Sequence, residues 1–121
     1  MTSFVATAGA VETLDDTFLV VLAETEDGDT RIEFQRGLTF DAQDKALGMD
    51  TYCLCTEKGT YYGGAQSWQV SEGCLHLSLN AAAAKALRLD TEVSIALQLP
   101  ENTVDQVTAG IERVLNLPMS T

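Results

Sequence analysis

Leu75-His76-Leu77-Ser78-Leu79-Asn80-Ala81-Ala82-Ala83-Ala84-Lys85-Ala86-Leu87 changes its hydrophobic period halfway along. Up to Leu79 every second residue is apolar, with His76 and Ser78 between, as in a strand with one face against a core. Asn80 is then a good N-cap. Ala81 to Leu87 combine high helix propensity with side chains small enough for close packing. Thr91 to Leu99 returns to period two, with Val93, Ile95, Leu97 and Leu99 on one face, and Pro100 is expected to end it. Strand, short helix and strand in one stretch define an α+β chain.

Upstream, the same reading gives a series of strands. Gln66 to Ser71 carries Trp68 and Val70 on one face and turns at Glu72-Gly73 into Leu75 to Leu79. Tyr52 to Thr56 and Thr60 to Gly63 form a hairpin about Lys58-Gly59, and Gly63-Gly64 marks a bulge or bend. Asp41 to Gly48 breaks the pattern and reads as a loop with a helical turn. Thr30 to Arg36 alternates, Ile32 and Phe34 against Arg31, Glu33 and Gln35, so one face is buried and one is wet. Phe4 to Val11 and Thr17 to Glu24 are two further strands, with Leu14-Asp15-Asp16 turning between them and Glu26-Asp27-Gly28-Asp29 turning after the second.

Downstream, Thr103-Val104-Asp105-Gln106 matches a capping box, and Val104, Val107, Ile111, Val114 and Leu115 recur at helical spacing. The expectation is a mainly antiparallel β-sheet with a short Ala-rich helix and a C-terminal amphipathic helix packed on it. With 121 residues and neither repeat nor linker, residues 1–121 make a single domain.

Eighteen acidic against seven basic residues give a formal charge of -11. Nucleic acid and anionic membrane surfaces are thereby disfavoured as partners, because both are gripped by Lys and Arg. The longest apolar run, Phe18 to Ala23, is far shorter than the roughly 20 residues a bilayer-crossing helix needs. Met1 to Glu12 has no basic or apolar signal-peptide region, and three cysteines are an odd number, so a reducing, cytoplasmic setting is expected.

Cys53-x-Cys55 and Cys74-x-His76 are four candidate metal ligands in two pairs. On a strand, Cβ atoms two residues apart sit nearly 7 Å from each other, whereas thiolates sharing a tetrahedral zinc must come within about 4 Å. The pattern therefore reads first as small residues packed in or beside the core, with His76 on a polar face. A small-ligand or metal-binding domain using Cys53, Cys55, Cys74 and His76 is the alternative function. With one histidine and no nucleophile or phosphate-loop motif, the chain is not expected to be an enzyme. Between Glu12 and Asp29 there are seven acidic residues and no Lys or Arg. Asp15, Asp16, Glu26, Asp27 and Asp29, at two turns, are the candidate contacts for a basic partner. Pairing of an exposed Phe18 to Ala23 edge with another copy would instead give a homo-oligomer.

Asp50-Thr51-Tyr52-Cys53-Leu54-Cys55, Tyr61-Tyr62-Gly63-Gly64, Trp68, Leu75 to Leu79 and Ala81 to Leu87 follow one another in an order that resembles immunity protein family 10 of bacterial polymorphic toxin systems. Ile32 to Arg36 upstream and Val93 to Leu97 downstream extend the likeness to roughly Gly28 to Leu115. The resemblance implies a cytoplasmic protein that binds a cognate toxin domain and covers its active site or another surface it needs. It implies neither catalysis nor a cofactor. It supplies no set of toxin-contact residues; Tyr52, Gly63, Gly64 and Trp68 match it but read physically as scaffold, a bent strand pair with an aromatic over the bend.

Overall fold

The alternating segments pair into two sheets. The computed structural model describes residues 1–26, 28–39, 42–46 and 51–120. One sheet contains β1 (Thr2–Ala6), β7 (Ala65–Ser71), β8 (Cys74–Leu79) and β9 (Glu92–Leu97), in the order β1-β9-β8-β7. The other contains β2 (Ala8–Leu14), β3 (Thr17–Ala23), β4 (Arg31–Gly37), β5 (Cys53–Thr56) and β6 (Gly59–Tyr62), in sequence order. All pairings are antiparallel except β1 with β9. Helices α2 (Ala81–Leu87) and α3 (Glu101–Leu115) complete the α+β arrangement. The helical turn expected after Gly37 is α1 (Ala42–Ala46); the Gly48 proposed to close it lies outside the described residues.

One continuous core joins both sheets and both longer helices. Phe18, Val20, Leu22, Ile32, Phe34 and Leu54 face it from the five-stranded sheet, and Trp68, Leu75, Leu77, Leu79, Val93, Ile95 and Leu97 from the other. Alternation alone dictates this, because residues two apart share a face. Asn80 caps α2 as expected, its Oδ1 accepting from Ala83 N at 2.8 Å, and Ala83, Ala84 and Leu87 are buried. From α3, Val107, Ile111, Val114 and Leu115 enter the core, and the helix packs across β2, β3 and β4.

Four local expectations are corrected. Phe4 to Val11 is two strands broken at Thr7, with β1 and β2 in different sheets. The break is held by Thr7, whose N–H donates to Ala23 O (3.1 Å) and whose hydroxyl donates to Glu24 O (2.6 Å). The capping box at Thr103 does not cap: α3 begins at Glu101 with Pro100 as N-cap, and the N–H groups of Thr103 and Val104 already donate to Pro100 O. Proline's fixed φ, here -56°, suits a helix start as well as a strand stop, and the strand has already ended at Leu97. The Phe18 to Ala23 run is no edge, since β3 lies between β2 and β4.

The bend expected at Gly63-Gly64 is present, but Trp68 does not cover it. Gly63 and Gly64 take φ of 79° and 96° where the chain crosses from one sheet to the other, a conformation that strains residues with a Cβ. The aromatics at this bend are Tyr52 and Tyr61: Ala65 N donates to Tyr52 Oη (2.9 Å), and the Tyr61 ring closes over Gly64. Trp68 instead lies in the core and donates its Nε1–H to Leu117 O at 2.8 Å.

Candidate partner-binding surface

The acidic residues sit where turn chemistry places them. Asp15, at φ 53°, and Asp16 form the β2–β3 turn, a conformation Asp tolerates better than most residues. Asp16 also fixes the loop after β4: its backbone oxygen accepts from Leu38 N (2.8 Å), and its carboxylate accepts from Thr39 Oγ1. Glu26 and Asp29 belong to the β3–β4 connection and are exposed; Asp27 lies outside the described residues. The two acidic turns are therefore not brought together. They occupy opposite ends of β3, whose seven residues separate them by ~20 Å at the usual strand rise.

Basic residues are partly withdrawn from the surface field. Arg31 Nε pairs with Glu33 Oε2 at 2.9 Å, and Gln35 Nε2 donates to the other oxygen of that carboxylate at 2.8 Å. Arg36 Nε donates to Val114 O at 2.6 Å, and its guanidinium lies 5.9 Å from the Tyr52 ring centroid. Burial pushes the Tyr52 phenol up, opposed by the Ala65 N–H and the Arg36 charge. Arg113 stacks on Phe18 at 4.0 Å.

The proposed four-ligand set is split. Cys53 and Cys55 lie on β5, whereas Cys74 and His76 lie on β8 of the other sheet. Cys74 Sγ is 3.2 Å from Ser94 Oγ, and His76 is exposed. Among the described residues, no three His, Cys, Asp or Glu side chains come together as a ligand set. The Cys53 and Cys55 sulfurs, however, are only 3.6 Å apart, much closer than the Cβ spacing along a strand suggests, because both side chains lean into the gap between them. Either thiol can donate across this contact; with Cys53 as the donor, the bond, helped by the Thr60 hydroxyl at 3.6 Å, draws Cys55 down from 9.0 to about 6 against the effect of burial. The same contact, together with burial, pushes Cys53 up.

A further surface was not singled out from the sequence. The outward face of the four-stranded sheet carries Ser67, Gln69 and Ser71 from β7, Cys74, His76 and Ser78 from β8, and Ser94 from β9, with Glu92 as an acidic group bonded to Ser78 (2.8 Å). Its signal in the sequence is the polar half of each alternation. A cleft between β1 and the ends of β4 and β5 includes Arg31, Lys58 and Arg88. Its volume, about 160 Å³, is below the ~300 Å³ at which small-molecule sites begin.

The class these features define is a small two-sheet α+β fold with acidic groups on the turns at both ends of β3. The family model described as Immunity protein 10 matches residues 5–105, and the chain belongs to that family. The match takes in β2 and β3, which lie upstream of the Gly28 start inferred from motif order, and stops within α3. No curated protein matches the chain.

Proposed function

We propose that this chain neutralises a cognate toxin domain by binding it, in the cytoplasm and without catalysis. The observation that carries the reading is the Immunity protein 10 match over residues 5–105. The formal charge of -11 supports a basic toxin surface as the target. Asp15, Asp16, Glu26, Asp27 and Asp29 are the proposed contacts. Opposite charge raises the rate of encounter, up to ~10⁸ M⁻¹s⁻¹ or above at low salt, which serves an inhibitor that must capture its target before damage is done.

The test is co-expression with the toxin domain encoded beside this chain's gene, scoring growth and co-purification together. Rescue accompanied by a one-to-one complex is the expected result. A neighbour that is toxic alone and stays toxic and unbound beside this chain overturns the reading.

A further inference from the structure

The geometry points to β2 as a strand-addition site for an extended basic segment of a protein partner, a reading that rests on the proposed toxin-binding role and gives it a place on the molecule. A sheet has two edges, so the two sheets have four, on β1, β7, β2 and β6. The β7 edge is occupied by the C-terminal tail: Ser120 N donates to Trp68 O (2.8 Å), and Val70 N lies 3.2 Å from Met119 Sδ. Strand β6 has four residues and is backed by α2. Strand β1 has five and borders the cleft against Thr30 and Arg31.

Strand β2 has seven residues, as many as the occupied β7 and more than β1 or β6, and it pairs with β3 in unbroken register from Ala8↔Ala23 to Leu14↔Thr17. Among the described residues nothing pairs with its other side. In an antiparallel ladder alternate residues direct both N–H and C=O away from the partner, so this side presents a row of unused donors and acceptors. Exposed edges are normally guarded by Lys, Pro or a bulge. Ala8-Gly9-Ala10-Val11-Glu12-Thr13-Leu14 has none of these.

Charge states which strand fits. Glu12 is exposed within β2, Asp15 and Asp16 flank its carboxyl end, and Glu24 and Glu26 flank the other, across from Ala8. The two acidic turns, separated along β3, thus bracket one edge. A second copy would lay these carboxylates against each other, whereas a strand carrying Lys or Arg would neutralise them. A groove of about 320 Å³ lies beside the small residues Ala8, Gly9 and Ala10, bordered by Leu99 and Pro100, and receives an apolar side chain of the incoming strand. Arg113, beside Val11 on the helix side, is stacked on Phe18.

The probe is a synthetic peptide alternating lysine with valine, of the strand's own length, and its glutamate counterpart is the control. Amide exchange of the isotope-labelled full chain is followed by NMR. With the lysine peptide, exchange at every second residue from Ala8 to Leu14 is expected to slow by about tenfold or more. The glutamate peptide is expected to leave it unchanged, and the variant carrying Asp15→Asn, Asp16→Asn, Glu24→Gln and Glu26→Gln to lose the effect while keeping its spectrum elsewhere. Three outcomes overturn the proposal: no slowing in β2, slowing without the two-residue period, or equal slowing by both peptides. A chain that rescues growth yet fails this test refutes strand addition alone, while failed rescue refutes toxin neutralisation whatever the peptide does.

Discussion

Cys53 and Cys55 show how one contact sets two opposite chemistries. The two thiols lie 3.6 Å apart, and the hydrogen bond between them draws Cys55 down to about 6 while Cys53 is pushed up. The thiolate is the nucleophile, so Cys55 should react with iodoacetamide at neutral pH and lose that reactivity as the pH falls through about 6. Cys53→Ala removes the donor and should move the midpoint of Cys55 labelling back towards 9.0, as followed by mass spectrometry over a pH series; a midpoint that does not move excludes the contact as the cause. Linkage has the same sign. A depressed thiol contributes stability that is present above its unfolded value and is lost as pH falls towards about 6, while above that value Cys53, held protonated, works the other way. The cysteines were legible in the sequence as residues of one strand face, but their approach was not, because side-chain rotamers decide it and period two does not.

At the level of elements, strength of pattern decided what could be read. The strands from Thr30 to Arg36 and from Leu75 to Leu79 have one apolar and one polar set, so register and face follow directly. Phe4 to Val11 lacks that contrast: its small and β-branched residues fit a strand throughout, and the break at Thr7 is made by hydrogen bonds to Ala23 and Glu24, residues distant in sequence. Pro100 was ambiguous for a different reason, since the same fixed φ stops one element and starts another. The cap of α2 was legible because it is local. Asn80→Ala deletes the bond to Ala83 N and should lower stability by about 1 kcal/mol in urea unfolding, with unchanged m. In helix α3 an alanine is also expected to destabilise, but through packing rather than a lost cap. Gly110→Ala gains ~1 kcal/mol of helix propensity but places a Cβ 2.7 Å from Val20 Cγ2 at the sheet contact, where overpacking costs about 1–3 kcal/mol. Net destabilisation in the same assay is expected, and a more stable variant would show that α3 can lift from β3 at little cost.

Across the whole molecule, the excess of acid over base was legible from composition, but its distribution was not. The sequence places Asp15, Asp16, Glu26 and Asp29 within fifteen residues, and only the pairing of β3 with β2 and β4 separates the turns to opposite ends of a strand. Arg36 and Arg113 are held by the Val114 carbonyl and the Phe18 ring, while Arg31 is paired with Glu33 and also feels the charges of Glu57 and of Asp29 in the β3–β4 turn. Separation has a measurable consequence. The ends are ~20 Å apart, and the screening length at physiological salt is about 8 Å, so each end acts on an approaching basic partner almost independently of the other. Asp15→Asn with Asp16→Asn, and Glu26→Gln with Asp29→Asn, should each slow association with the cognate toxin. In the combined variant the two changes in the logarithm of the on-rate should add. Dissociation should change less than association, because exposed charges act mainly on encounter. Stopped-flow measurements over a salt series check this: two additive losses, each shrinking as salt rises, agree with two separate contacts bracketing β2. Loss from one end alone would place the basic surface of the toxin there, and a combined loss no larger than either single loss would mean that the turns share one contact, which their positions on β3 do not allow without a rearranged sheet.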